Sequence, residues 1–268
     1  MTAPRIASLV PSLTELVVAL GLGDCLVART GYCIHPAEAL RGVPKVGGTK
    51  DVNLAKLRRL TPTHVLVNVD ENTLETVDAI RAWGEGVHGA APEFVVTHPV
   101  APEDNLALVE QLRSAFDHVA GVAQRADELA LALRQELELT VPTGRPEARV
   151  LYLIWHGPWM TVARDTYLSA MLARIGWSTL PATHGGPNGA ARYPVVGGAE
   201  LWLQQVDRVL LSSEPFAFEA AHVDAAQHLC PNARVQRVDG ELLSWYGPRA
   251  VAGLRYLRAL ADASPARA

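Results

Sequence analysis

The densest group of chemistry-bearing side chains is Trp155, His156 and Trp159, directly after RVLYLI, an apolar run with the composition of a buried strand. Trp245 and Tyr246 share a second loop, DGELLSWYGP, again after a strand-like run. Tyr32 lies in a loop of the first half, with Cys33, His35 and Pro36 close by. The chain is only 6% aromatic, so aromatics gathered in loops are a signal rather than background. A flat, largely apolar ring system with polar amide edges needs this lining: aromatic area for contact and a few hydrogen-bonding groups. The competing reading is that Trp155 and Trp245 simply pack a core, since tryptophan is mostly buried in any fold.

Histidines add a second possibility. His35, His98 and His156 all fall in loops that follow strand-like runs, where a neutral imidazole could ligate the metal of a haem or corrinoid. There is no HxxxH or HExxH spacing and no Cys/His cluster of zinc type, so no metal ion is expected to be held by the protein alone. His64, His118, His222 and His228 read as structural or surface residues. HGGPNGA, from His184 to Ala190, is glycine-rich but lacks the GK[ST] ending of a phosphate loop; it is expected to be a mobile loop or lid, with Tyr193 closing it over a ligand. In LLSSEPF, Ser213 and Glu214 read as strand-end polar groups that bond a ligand edge or cap a turn. There is no GxSxG elbow, and the spacing of Asp239 and Glu241 implies no acid–base geometry, so no enzyme activity is expected. Asp70 and Glu71 read as the start of a helix at Asn72.

The elements that must position these groups follow from periodicity. Arg5 to Val10 is a strand that stops at Pro11, and Ser12 with Glu15 forms a capping box for the next helix. Further strands are read at 24–28, 64–69 and 94–97, with helices at 52–60, 74–83 and 102–116. In Val122–Leu139, the residues Val122, Ala126, Leu129, Leu133 and Leu137 recur at steps of three and four, one apolar helix face, and Pro142 cannot continue the helix. At 1.5 Å per residue this is a rod of roughly 27 Å. Beyond it come strands at 149–155, 206–211 and 234–238 and helices at 167–175, 222–229 and 248–260. The principal strand starts lie about 59 and 30 residues apart before the rod and about 57 and 28 after it, equal within the error of such boundaries. The expected architecture is α/β: two Rossmann-like lobes with mostly parallel sheets, residues 1–116 and 145–268, joined by a backbone helix within 117–144. Ligands of such sheets bind beyond the carboxyl ends of the strands, and two such edges facing each other would make one cleft.

The 268 residues, 49% hydrophobic and 19% charged, fit an ordinary globular protein, and a net charge of −4 without a basic stripe argues against nucleic acid as a partner. Three cysteines with no CxxC pair fit a reducing compartment, or one disulfide plus a free thiol. MTAPRIASLVPS has no basic segment followed by a long apolar one; the expectation is a cytoplasmic protein as written, or a periplasmic one if an export signal has been removed.

RIASLVPSLTELVVALGLGDCLVART, GYCIHP and VPKVGGTKDVNLAKLRRLTPTHVL, followed by DTYLSAMLARIG, RYPVVGGAEL and VDRVLLSSEP, resemble the helical-backbone (class III) substrate-binding proteins, and within them the cobalamin-binding receptors of corrinoid uptake systems. The resemblance covers nearly the whole chain apart from HGGPNGA. It implies a monomeric receptor that holds a small molecule, with cobalamin or haem as possible ligands, between lobes that hinge little. It also implies an ABC permease as partner, docked through a glutamate on each lobe. The matching positions here are Ala55 and Ala199, with Glu200 adjacent, so those docking charges are missing from their expected places. The same scaffold with another metal chelate or small metabolite, used for sensing, delivery or catalysis, is the alternative.

Overall fold

The computed structural model describes residues 3–84, 91–142, 144 and 147–263. Thr143, within the turn expected after the rod, lies outside them.

The first sheet has the order β2-β1-β3-β4, all parallel, from β1 (Ile6–Ser8), β2 (Leu26–Arg29), β3 (His64–Asn68) and β4 (Glu93–Thr97). Its core of Ala7, Leu9, Ala28, Val46, Leu57, Val65, Val67, Val77 and Ile80 uses the apolar runs that mark these strands in the sequence. Helices α1 (Pro11–Ala19), α2 (Leu54–Arg59), α3 (Leu74–Arg81) and α4 (Asp104–Ala115) accompany the strands. The α1 helix starts two residues earlier than the capping box requires, at Pro11 instead of Leu13. Pro11 occupies its first turn, where a missing N–H costs nothing, and Ser12 is buried inside the helix rather than capping it. The helix stops at Gly21 (φ +78°), where Gly21 N–H reaches Val18 O and Leu22 N–H reaches Val17 O, both at 2.9 Å. Helix α3 is capped by Thr73, not by Asp70 or Glu71.

The second sheet is β10-β9-β5-β7, again parallel, from β5 (Ala148–Leu153), β7 (Trp177–Thr179), β9 (Arg208–Ser212) and β10 (Arg234–Val238). Reversed, this order is β7-β5-β9-β10, the counterpart of β2-β1-β3-β4, so the repeat seen in the strand spacing extends to topology. The three-residue β7 has no sequence periodicity to announce it. A two-stranded antiparallel ribbon, β6 (Trp159–Met160) with β8 (Val195–Val196), was also not expected. Helices α6 (Tyr167–Ala173), α7 (Ala221–Leu229), α8 (Gly240–Ser244) and α9 (Arg249–Asp262) complete this half.

Helix α5 (Val122–Leu139) has the bounds expected from its periodicity, and Val122, Ala126, Leu133 and Leu137 are buried. The chain divides into two compact units, and α5 contributes its residues up to Leu133 to the first and from Arg134 onward to the second. In the second unit its last turns are tied by charge. The buried Glu136 carboxylate meets Arg255 at 2.5 Å and Arg258 at 2.6 Å, and Arg258 also donates to Thr140 Oγ1. The three cysteines are free thiols, which removes the disulfide alternative. Among the described residues no helix is long and apolar enough to cross a membrane.

Candidate ligand-binding site

In the second unit the loop after β5 turns back on itself. Ile154 N–H donates to Met160 O (2.9 Å), Met160 N–H donates to Trp155 O (3.1 Å), and Trp159 pairs with Val196 across the ribbon. This small hairpin presents Trp155, His156 and Trp159 from a hydrogen-bonded base instead of a loose loop. The loop after β9 lies beside it, because β5 and β9 are neighbours in the sheet, and Phe216 N–H reaches Ile154 O at 3.3 Å.

The result is a group of six rings. His156 packs edge-on to Trp159 (centroids 4.4 Å) and to His222 (5.3 Å). Trp155 meets the edge of Phe216 at 5.6 Å, and Phe216 lies 4.8 Å from Phe218 and 5.2 Å from His222. These are the offset and edge-to-face contacts that aromatic quadrupoles favour. The group grades from core to surface: Phe218 is buried, Phe216, Trp159 and His222 are half-buried, and Trp155 and His156 are exposed, Trp155 by 41%. Trp155 thus exposes much of its indole on a base of packed rings. His222 Nδ1 accepts Glu219 N–H at 3.0 Å, which leaves Nε2 to carry the proton of the neutral ring.

A polar group adjoins these rings on the β9 loop. Glu214 Oε1 accepts the Trp245 indole N–H at 2.7 Å, and Ser244 Oγ also stands 2.7 Å from it. Its backbone N–H donates to Ser212 Oγ, which accepts the buried Tyr152 hydroxyl at 2.9 Å. Gly240 is required here: a Cβ would run into Ser212 Oγ and the Glu214 side chain. Burial raises the Glu214 carboxyl above the ordinary value, and the bonds from Ser244 and Trp245 offset this only in part. Arg249 pairs with Glu241 and lies 4.5 Å over the Trp245 ring. Trp245 itself is buried, so it supports Glu214 and offers little face of its own.

In the first unit, Tyr32 follows β2 and is 65% exposed, while His35 is half-buried. His98, after β4, has Nε2 at 3.4 Å from Asp70 Oδ2, and Lys50 Nζ donates to the Asp70 carbonyl at 2.6 Å. Tyr246 is buried and donates its hydroxyl to Glu71 Oε1 at 3.0 Å; burial and the adjacent carboxylate push that phenol well above its usual range. Asp70 and Glu71 therefore serve His98 and Tyr246, not a helix start.

The structure thus brings Trp155, His156 and Trp159 into one group and Glu214 and Trp245 into another beside it on the chain. Phe216, Phe218 and His222 escaped the sequence reading. The pair FAF after a strand was the available hint, but only strand order places it against Trp159. Tyr193 is half-buried after the glycine-rich loop. That loop is pinned at its start: Asp165 accepts Gly185 and Gly186 N–H at 2.9 and 2.8 Å, and the buried Arg192 donates to Gly186 O at 2.8 Å. Burial works against the Asp165 charge, but the amides and Arg192 outweigh it and hold the carboxyl below its usual range. Asp165→Ala is expected to cost about 2 kcal/mol, since two amides and a buried guanidinium lose an anion. Limited thermolysin digestion should then cut within 184–192 faster than in the parent; an unchanged rate would show that the anchor is dispensable.

No family model matches the chain. The ABC transporter substrate-binding lipoprotein YvrC of Bacillus subtilis, itself uncharacterised, is 25% identical over 274 residues, covering 94% of this chain and 78% of that protein. The crystal structure of the periplasmic vitamin B12-binding protein BtuF of Vibrio cholerae superposes with a TM-score of 0.78 at 19% identity, over 97% of both chains. A periplasmic heme-binding protein from Pseudomonas aeruginosa gives 0.76 at 25% identity, over 98% of this chain and 94% of that one. The chain has the helical-backbone substrate-binding fold. These relatives are binding proteins, consistent with the expectation that the chain is not an enzyme. They are named as periplasmic proteins or a lipoprotein, so the cytoplasmic expectation finds no support among them. Ala55 and Ala199 are both exposed, and Glu200 beside Ala199 accepts Gly197 N–H at 2.6 Å; that bond and neighbouring amides keep its carboxyl below the usual range.

Proposed function

We propose that this protein is a receptor for a corrinoid or a related tetrapyrrole. The observation that carries the reading is the six-ring group on the carboxyl edge of the second sheet, open at Trp155 and His156, within a fold whose relatives are named for vitamin B12 and heme. A tetrapyrrole face is wide, flat and apolar, and it gains most from rigid aromatic surface that needs no ordering on binding. Tyr32, His35, His98 and Tyr193 are further candidates for contact with the ligand, and Glu214, with Trp245 behind it, for its polar edge. Tyr246 belongs to the framework under the first-unit loops.

Titration with cyanocobalamin and, separately, with haem tests this. Tryptophan fluorescence should be quenched saturably by at least one of them at micromolar concentration or below, with a shift in the ligand's visible bands. Absence of both signals up to the millimolar range would remove the reading. The names of the relatives also support delivery of the ligand outside the cytoplasm to an ABC permease; Glu200, beside Ala199, is our candidate for an anionic contact on the second unit.

A further inference from the structure

The β9 loop carries two unlike surfaces within a few residues, and their pairing says something about the ligand's rim. Phe216 and Phe218 belong to the aromatic group, whereas Glu214, two residues before Phe216, is an acid. Its Oε1 is occupied by the Trp245 indole N–H. Arg249, the cation beside it, is committed to Glu241 and to the Trp245 ring. Glu214, Glu241 and Arg249 together leave one net negative charge, fixed by hydrogen bonds at a position two residues along the chain from Phe216.

Resting on the tetrapyrrole reading above, we infer that Glu214 makes the site selective for macrocycles whose edges end in carboxamides over those whose edges end in carboxylates. An amide N–H can donate to the carboxylate of Glu214, while a carboxylate edge brings a second anion to a half-buried one whose neighbouring cation, Arg249, is already paired with Glu241. The discrimination works by repulsion as much as by attraction, as specificity commonly does. Corrinoids carry amide edges and haem carries propionates, so the same geometry favours the first class. The raised pKa of the Glu214 carboxyl fits this: part of its charge is already strained by burial, and a second anion would strain it further.

Two probes with the same corrin ring isolate the rim: dicyanocobinamide, with amide edges, and dicyanocobyrinic acid, with carboxylate edges. At pH 7.5 the protein should bind the first at least about tenfold more tightly, the size of one uncompensated like-charge contact. Glu214→Gln, which keeps the shape and removes the charge, should bring the ratio to within about threefold by strengthening acid binding. Glu214→Met serves the same purpose if circular dichroism shows the Gln variant unfolded. Equal binding of both probes by the parent protein, or tighter binding of the acid, would overturn the inference while leaving the receptor reading intact. A parent preference that survives both substitutions would overturn the role of Glu214. Failure of both corrin probes to bind would overturn the inference as well, and failure of haem and cyanocobalamin alongside them would defeat the receptor reading itself.

Discussion

Replacing Trp155 by alanine is expected to weaken tetrapyrrole binding about thirtyfold, or roughly 2 kcal/mol, the worth of half an indole face plus its ring geometry. The same change should lower folding stability by less than about 1 kcal/mol, because surface side chains away from packed cores contribute little. Trp155 is 41% exposed and its one close aromatic neighbour among the described rings is the half-buried Phe216, met edge-on at 5.6 Å. Parallel ligand titration and urea denaturation separate the two effects. If Trp155 were simply a core residue, the pattern would invert: stability would fall by about 3 kcal/mol or more with affinity unchanged.

Glu136→Ala is expected to have the largest effect on stability, a loss of about 3 kcal/mol, because it strands two guanidiniums that now share a buried carboxylate. The partners are unequal. Arg255 is 62% exposed and Arg258 is 20% exposed, so Arg258→Ala should cost more than Arg255→Ala, whose pairing is screened by water. Burial opposes the Glu136 charge, but the hydrogen bonds and charges of the two arginines outweigh it and hold the carboxyl below the ordinary glutamate range. Its contribution is therefore fully present above the ordinary glutamate range and is lost as the pH falls through the lower native value. Thermal midpoints of the parent and of Glu136→Gln should accordingly lie far apart at pH 7 and draw together in acid. A gap that does not narrow would mean that Glu136 acts through packing rather than charge.

The parts of this molecule legible in the sequence were those written in local periodicity. The 3.6-residue pattern of Val122–Leu139 gave a helix with the observed bounds, since Val122, Ala126, Leu133 and Leu137 on one face of it are buried and Leu129 half-buried. Buried parallel strands appear as short apolar runs, so β1, β3, β5 and β9 could be read, and with the more exposed edge strands β4 and β10 their duplicated spacing noticed. The start of α1 was misread because Ser12 and Glu15 match a capping box while Pro11 supplies an equally good first turn. The three residues of β7 and the two-residue strands of the ribbon are too short for any pattern.

The site followed the same division. Trp155, His156 and Trp159 sit within five positions and announce themselves together. The approach of His222 to His156 and of Phe218 to Trp159 depends on β5 lying next to β9, which is a property of strand order and not of any local stretch. The Tyr246–Glu71 hydrogen bond joins residues 175 positions apart and turns a supposed pocket aromatic into a buried tie. In each case, long-range neighbours changed the role of a residue whose type and loop had been recognised.

The central claim concerns where a ligand sits, so locating one tests it most directly. Crystals grown from protein saturated with cyanocobalamin, measured at the cobalt absorption edge, would give an anomalous peak that marks the metal directly. The expected result is a single strong peak beside Trp155, His156 and Phe216, with the corrin rim reaching Glu214. A peak remote from these residues, or none from crystals of saturated protein, would contradict the assignment.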